Sequence, residues 1–582
     1  MSHLTPLHEA AATVVAEIAG AGVRADAVKV DVPRQAEMGD LAVNTFPFAK
    51  ATGKNPAALA GEVVAAFKPN DLIASAAAAG PYINFKANRP AVFKWLVGAA
   101  LQSTLLPREY GKGQTICIDY SSPNVSKHLA YHHIRSTMLG HSLVQIFRAL
   151  GYTVVGINHL GDWGTTHGKL IAAWKMYAAG AGLSLDTVDV TALNDLYTQF
   201  NEAAKTDTTL EDVGRAAFKK LEDGDAESVA LWQRFKEISL AEYQTVYDLL
   251  GVKFDLVKGE SEFMPDVDRV IGELAQKGLS SESEGALVVV VEGERNPLML
   301  RKSDDATTYA TRDLPAAEFR WNTWHFARSL YVVDRGQSEH FRQLFGTLKA
   351  MGHEWANKLQ HIPFGLVQIV SATGEIEKTG SRKGNVVLLK NVVAEAKSRV
   401  QTLLAEINPE LQGAELERVS EQVGLGAVLF ANLSSQRDKD VKFDWDRVIA
   451  LTGDSGPYAQ YSHARCAGIL RKAGGFSKEL DLVDFSKLTT ELEWAVARKL
   501  WEFPQTVVSA TPKCEPHVIA HYLLDLAGDL SRWYTAGNSD ASLKVLCEDQ
   551  PTREARVALV AATKVVIAEA LHLLGLAAPE TM

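Results

Sequence analysis

The chain has 582 residues, 47% of them hydrophobic and 22% charged, with a formal net charge of −10; this is the composition of an ordinary globular protein, with no global basic footprint for nucleic acid. RNA stays open as a partner, because a local basic face is enough to bind it. Four scattered cysteines (Cys117, Cys466, Cys514, Cys547) without CxxC or Cys/His spacing disfavour a disulfide framework and a structural zinc site. No targeting run and no apolar stretch of about eighteen residues occurs, so a cytoplasmic protein of roughly three or four domains, with no membrane partner and no metal site of its own, is expected.

Residues 1 to about 110 read as a small α+β domain. It has an amphipathic helix over His8–Ile18, a turn-rich segment over Pro33–Asn44, a helix near Pro56–Phe67 and a strand over Tyr82–Ala87. Gly39-Asp40 reads either as a turn facing RNA or as a tight turn between core elements, and local signal alone favours the second.

The segment 111–395 carries the chemistry. A strand over Thr115–Tyr120 empties into the polar loop SSPNVSKHLAYH, a helix follows over 133–149, and a second strand over Thr153–Asn158 leads into NHLGDWGTTHGKL. Two strands joined by a crossover helix predict a parallel, doubly wound sheet whose ligands bind beyond the strands' carboxyl ends. Both loops lie there, and a helix N-terminus after such a loop suits a nucleotide's phosphates. Neither GxGxxG nor GxxxxGK[ST] is present, which disfavours a dinucleotide-dependent dehydrogenase.

An insertion is expected over about 172–300, mostly helical and charged before it turns strand-like, with return to the sheet near Ser329 in SLYVVD. In TTYATRDLPAAEFR, Tyr309 and Asp313 are four apart and share a face if the segment is helical. The loop GEIEKTGSRKGNVV sets Lys378, Arg382 and Lys383 among three glycines, which suits either a mobile clamp on polyphosphate or a solvated basic turn. Residues 396–455 read as a helical connection, and 456–582 as an all-α bundle with aromatic, histidine and arginine residues interleaved. Arg465, Arg471 and Lys472 beside Tyr458 and Tyr461 could serve phosphate contact and base stacking.

Taken in this order, the loops resemble the arginyl-tRNA synthetases, class I enzymes, over essentially the whole chain. SSPNVSK with HIRST resembles that family's HIGH region, NHLGDWGT its next strand-end loop and YATRDL its amino-acid pocket helix. VVDRGQSEHF, KTGSRKGNVVLL, SGPYAQYSHAR and the terminal APETM continue the series.

The resemblance implies a Rossmann-like catalytic domain with an insertion, an additional N-terminal domain and a helical anticodon-binding domain. It implies ligation of L-arginine to its tRNA through an arginyl-adenylate, by a monomer using ATP with Mg²⁺. Asp313 and Tyr309 would hold the guanidinium, Asn124 the α-amino or carboxylate end, and Gln337 would complete the pocket, with Asp119 as a second acidic contact. Gly161, Asp162 and Gly164 would line the ATP site. Lys127 and His133 would stabilise charge on the α-phosphate, and Lys378, Arg382 and Lys383 would hold the departing pyrophosphate. For tRNA the resemblance marks Gly39, Asp40, Tyr458, Tyr461, Arg465 and Met582.

Two departures stand out. Where the family usually has glutamate this chain has Asp119, and where it has histidine, a small residue, glycine and histidine, this chain has Ala130, Tyr131, His132 and His133. His128 is the neighbouring imidazole that could replace the missing one. The alternative that Ala130 and His132 motivate is a catalytically impaired paralogue that binds tRNA or senses arginine.

Overall fold

The computed structural model describes residues 5–582 except 21, 34, 371–375, 378–386 and 477–478. Helix α1 (Pro6–Ala19) starts where the Thr5 hydroxyl accepts the His8 amide and Pro6 presets the first turn. Helices α2 (Phe46–Thr52) and α3 (Pro56–Ala66) follow, and strands β1 (Val30–Asp31), β2 (Leu41–Asn44), β3 (Ile73–Ala79) and β4 (Tyr82–Ala87) pair antiparallel in the order β1-β2-β4-β3. The end of the segment read as turn-rich is therefore the inner strand β2. Its four residues are too few to display a period, and pairing with β4, Leu41 opposite Phe85 and Val43 opposite Ile83, is what makes it a strand. The alanine run of β3 carries no strand propensity of its own and is likewise held by β4.

The Gly39-Asp40 turn faces inward, as the tight turn between core elements that local signal favours, and not as the RNA-facing turn of the other reading. A Cβ on Gly39 would lie 2.7 Å from the Phe85 carbonyl oxygen. Asp40 is buried and accepts hydrogen bonds from the Ala87 amide (2.9 Å) and the Trp494 indole (2.7 Å).

Helix α4 (Arg89–Leu101) leads to β5 (Thr115–Asp119), α5 (His133–Ala149) and β6 (Thr153–Leu160). Helices α6 (Thr165–Tyr177), α7 (Val190–Thr206), α8 (Thr209–Glu222) and α9 (Ala226–Leu250) form the insertion, and β7 (Leu256–Gly259) returns to the sheet. Then come α10 (Met264–Gln276), an antiparallel sheet of β8 (Ser280–Ser283), β9 (Ala286–Val289) and β10 (Leu298–Arg301), α11 (Tyr309–Trp324), β11 (Arg328–Tyr331), α12 (Ser338–Ala350) and β12 (Leu359–His361). The main sheet is parallel throughout, in the order β12-β11-β5-β6-β7. The chain re-enters it at Leu256, well before Ser329, so the single insertion expected to about 300 is interrupted. As an edge strand with Val257 exposed, β7 lacks the unbroken apolar run that marks a strand buried on both faces.

Strands β13 (Val367–Val370), β14 (Ile376–Glu377) and β15 (Val441–Phe443) make a small sheet around helices α13 (Leu389–Ile407) and α14 (Gly413–Leu433). The KFDW segment read as helical thus contains β15, ended by α15 (Trp445–Val448), whose first amides are capped by Asp444. The bundle comprises α16 (Gly456–Ala473), α17 (Glu491–Lys513), α18 (His517–Ser539) and α19 (Gln550–Leu573), packed around Trp494, Trp501 and Trp533. Helix α5 touches α14, α17 and α19 as well as the sheet, and is buried almost all round. Neighbouring backbone meets several of its polar groups: Arg135 donates to the carbonyls of Asn432, Gln436 and Arg437, Ser136 to Val332 and Ser142 to Leu573, while Arg135 Nε and His141 Nδ1 are left without a hydrogen bond among the described residues. Among the described residues no helix is long and apolar enough to cross a membrane.

Candidate active site

The loop from β5 to α5 is strained. Ser121 (φ 70°), Ser122 (φ 49°) and Ser126 (φ 68°) sit in the left-handed region, at a cost on the order of 1 kcal/mol each for a residue other than glycine. Local hydrogen bonds hold the turn: the Ser121 amide donates to Ser136 Oγ (3.0 Å), and Ser122 donates its amide to Asn158 Oδ1 (3.1 Å) and its hydroxyl to Asp119 (2.7 Å). This loop is stitched to the glycine-containing loop after β6, since the Val125 amide donates to the Gly161 carbonyl and the Gly161 amide to that of Pro123, both at 3.1 Å. A Cβ on Gly161 would collide with Asn124 Oδ1, so any other residue there would displace the Asn124 side chain.

Beyond the carboxyl ends of the parallel strands lies a cavity of about 820 Å³, lined by Asp119, Asn124, Gly161, Gly164, Tyr309, Asp313 and Gln337 among others. Tyr309 and Asp313 fall on one face of α11 as their spacing predicts, and Gly164 is the N-cap of α6. Asp313 Oδ2 accepts from His340 Nε2 at 2.8 Å, while Oδ1 is 3.5 Å from His159 Nε2, an electrostatic contact rather than a full hydrogen bond. Burial opposes ionisation of Asp313, yet His159 and His340 hold its carboxyl well below the ordinary range. Burial lowers and the Asp313 carboxylate raises the pKa of His159, with a net upward shift.

Asp119 is already paired: its Oδ2 accepts from Arg320 at 2.7 Å, both side chains are buried, and the guanidinium lies over the Tyr331 ring (4.8 Å). Beside them Arg312 pairs with Glu260 at 2.7 Å. His159, Glu260, Arg312, Arg320 and His340 were missed in the sequence. The usable signal was the position of His159 at the carboxyl end of β6; the others become neighbours only through α11 and α12.

Several expected residues lie elsewhere. The Asp162 carboxylate, fully buried, takes Lys236 (2.7 Å) and both the amide and hydroxyl of Ser261 (2.9 and 2.7 Å), so it braces the loop and does not line the cavity. His128 pairs with Glu242 at 2.7 Å and lines a separate recess. The Lys127 ammonium lies over the Tyr197 ring at 5.7 Å. Nδ1 of His133 receives the Ala130 amide (3.0 Å), and the ring lies 4.2 Å from that of His132. Burial, reinforced by His132, pushes His133 down to about 3, so its imidazole is neutral at neutral pH. Lys127, His128 and His133 do not line the large cavity. Lys378, Arg382 and Lys383 fall outside the described residues.

In the bundle, a second cavity of about 500 Å³ is lined by Tyr461, Arg465, Arg471, Lys472, Tyr534 and Met582. The Arg465 guanidinium is sandwiched between Tyr461 (4.8 Å) and Tyr534 (4.7 Å), and the Met582 carbonyl accepts from Asn408 (3.0 Å). Tyr458 is half-buried in the first turn of α16 and does not line this cavity.

The parallel sheet with its cavity at the strand ends, the two stitched loops and the helical bundle, together with a family match over residues 97–445, place the chain among the class I tRNA synthetases. Residues 97–445 match the family described as tRNA synthetases class I (R), catalytic domain, residues 6–87 the arginyl tRNA synthetase N terminal domain, and residues 459–582 the DALR anticodon binding domain. The chain is 42% identical over 561 residues to arginine–tRNA ligase 2 of Bacillus anthracis, with 95% of each chain covered. It is 40% identical over 558 residues to the arginine–tRNA ligase of Exiguobacterium sp., again with 95% of each covered. Its fold is that of the Thermus thermophilus arginyl-tRNA synthetase (TM-score 0.81, 24% identity, 99% of this chain and 100% of that one). The chain belongs to the arginyl-tRNA synthetase family.

Proposed function

We propose that the cavity activates L-arginine with ATP and passes it to the 3′ end of the arginine tRNA. The observation that carries this reading is the Asp313 carboxylate, kept ionised at the cavity wall with Tyr309 on the same helix face: a guanidinium needs such an acceptor. Asn124 and Gln337 line the same cavity and are assigned the α-amino and carboxylate end. Asp119, neutralised by Arg320, acts on arginine through the wall it stiffens.

The arginine carboxylate attacks the α-phosphorus, the bond to the bridging oxygen breaks and pyrophosphate leaves; a terminal ribose hydroxyl then attacks the carbonyl carbon and AMP leaves. Catalysis in such a step is positioning plus charge stabilisation. The backbone of Gly164, where no side chain intrudes, fits ATP, and Gly161 in the same cavity wall is assigned to that site by its motif. Mg²⁺ would arrive on the triphosphate, whose oxygens are its ligands. His133, neutral at neutral pH, and the Lys127 ammonium lie outside the cavity lining and are assigned to the α-phosphate by their motif alone. Lys378, Arg382 and Lys383 are assigned to pyrophosphate by their motif alone. The bundle cavity offers tRNA a cation between two aromatic rings and further basic groups around it, with Met582 in its wall. The working form is a cytoplasmic monomer, as the family resemblance implies.

Charging of bulk tRNA with each amino acid tests the reading. Arginine alone is incorporated, and Asp313→Ala abolishes incorporation; charging with another amino acid, or an active Asp313→Ala, overturns it. No observation favours the non-catalytic alternative that Ala130 and His132 motivate, and pyrophosphate exchange in the presence of tRNA discriminates between the two readings.

A further inference from the structure

Helix α9 lines no part of the large cavity, yet one stripe of it holds both loops that do. The Trp232 indole donates to the Asp162 carbonyl (2.7 Å) and Lys236 pairs with the Asp162 carboxylate (2.7 Å). Ser239 Oγ accepts the Ser126 amide (2.9 Å), and the Tyr243 hydroxyl lies within donating distance of the carbonyls of both Asn124 (2.7 Å) and Lys127 (2.6 Å). The Tyr247 hydroxyl meets Ser121 Oγ (2.8 Å) and Asn158 Nδ2 (3.2 Å). Spacings of three and four place these five residues on a single helix face. Two of the residues they touch, Ser121 and Ser126, are among the loop's left-handed serines, so the stripe braces backbone that would otherwise relax.

We propose that α9 is a positioning element for the reaction, divided along its length: Trp232 and Lys236 set the ATP-facing loop through Asp162, while Ser239 and Tyr243 set the loop before α5, through Ser126 and Asn124 for arginine binding and through Lys127 for the charge that develops on the α-phosphate in the chemical step. The inference rests on the functional reading above. A side chain that fixes the carbonyl of a substrate-binding residue controls its reach, and a displacement of about 1 Å is felt strongly in rate. None of these α9 side chains is a catalytic residue.

The test is steady-state aminoacylation by the full-length chain with arginine and ATP varied separately, alongside thermal unfolding and tRNA binding. Tyr243→Phe is expected to raise KM for arginine about tenfold and lower kcat, with KM for ATP within about twofold of wild type. Trp232→Phe is expected to do the converse, raising KM for ATP alone. Ser239→Ala follows Tyr243→Phe more weakly and carries the test if the tyrosine variant fails to fold. Unchanged constants in these variants, or a uniform loss in both KM values in step with a lowered Tm, overturn the proposal. Wild-type protein that charges no arginine is a failure of the functional reading instead, and the division along α9 is then read as Kd values for arginine and ATP in the same variants.

Discussion

The indole N–H of Trp494 in α17 donates to Oδ1 of Asp40 over 2.7 Å, a bond between residues 454 positions apart. Arg89 lies over the same indole at 4.7 Å and pairs with Glu491 at 2.6 Å. The first domain is thereby pinned to the bundle at a buried polar point, and the Gly39-Asp40 turn is the pin.

Replacing Asp40 with alanine leaves two buried donors, the Trp494 indole and the Ala87 amide, without partners. A loss of about 3 kcal/mol is expected on denaturant unfolding, with Asp40→Asn losing less because one acceptor remains. Equal stability of Asp40→Ala and wild type would show that the pin carries no energy.

The Asp119 and Arg320 pair is buried on both sides. Arg320→Met should cost about 3–5 kcal/mol, because it strands a carboxylate at the cavity wall, and adding Asp119→Asn should recover part of that. A double-mutant cycle measures this; strict additivity of the two changes would sink the idea that the charges answer each other.

His340 donates to the oxygen of Asp313 that is not beside His159. His340→Ala should let the carboxylate rotate, raising KM for arginine about tenfold while KM for ATP stays put. Activity assays with each substrate varied decide it, and an effect on ATP instead would contradict the placement.

Stability should fall as pH drops from about 6.5 towards 4. Burial holds His133 down at about 3, and His141 and His167 down at about 4, against an ordinary value of 6.5. In that window the unfolded chain binds protons that the folded chain refuses, so acid favours unfolding, by on the order of several kcal/mol in sum near pH 4. The depressed Asp313 carboxyl does not act in this window, since its stabilisation is complete above the unfolded carboxylate pKa and is lost only as pH falls towards its folded value. His159, raised, opposes the trend: its contribution is full below 6.5 and is lost as pH rises through its folded value. Thermal unfolding from pH 4.5 to 7.5 checks the slope, which His141→Gln and His167→Gln should flatten; a Tm that rises towards acid would exclude this account.

Much of the layout is legible in local pattern. The run His133–Ala149 is helical because its apolar spacing, and the glycine stop at Gly151, allow nothing else, and Tyr82–Ala87 is a strand for a comparable reason. The face shared by Tyr309 and Asp313 followed from their separation of four. Elements without a pattern of their own were not legible: β2, β7 and β15 are short, β3 is an alanine run, and each is a strand because a neighbour pairs with it.

The sequence by itself determined the parallel sheet, the two loops at its carboxyl end, the helical bundle and the family, because these rest on periodicity and on runs of neighbouring residues. Only the tertiary structure decided which polar groups are available to a ligand. Asp119, Asp162 and Asp40 look alike as carboxylates in the chain, but each is claimed by a partner far away in sequence, Arg320, Lys236 or Trp494. Among the described residues Asp313 is held by two imidazoles at the wall of a cavity. A buried charge takes whatever partner the fold brings to it, and that partner is set by packing across hundreds of residues, which local sequence does not encode.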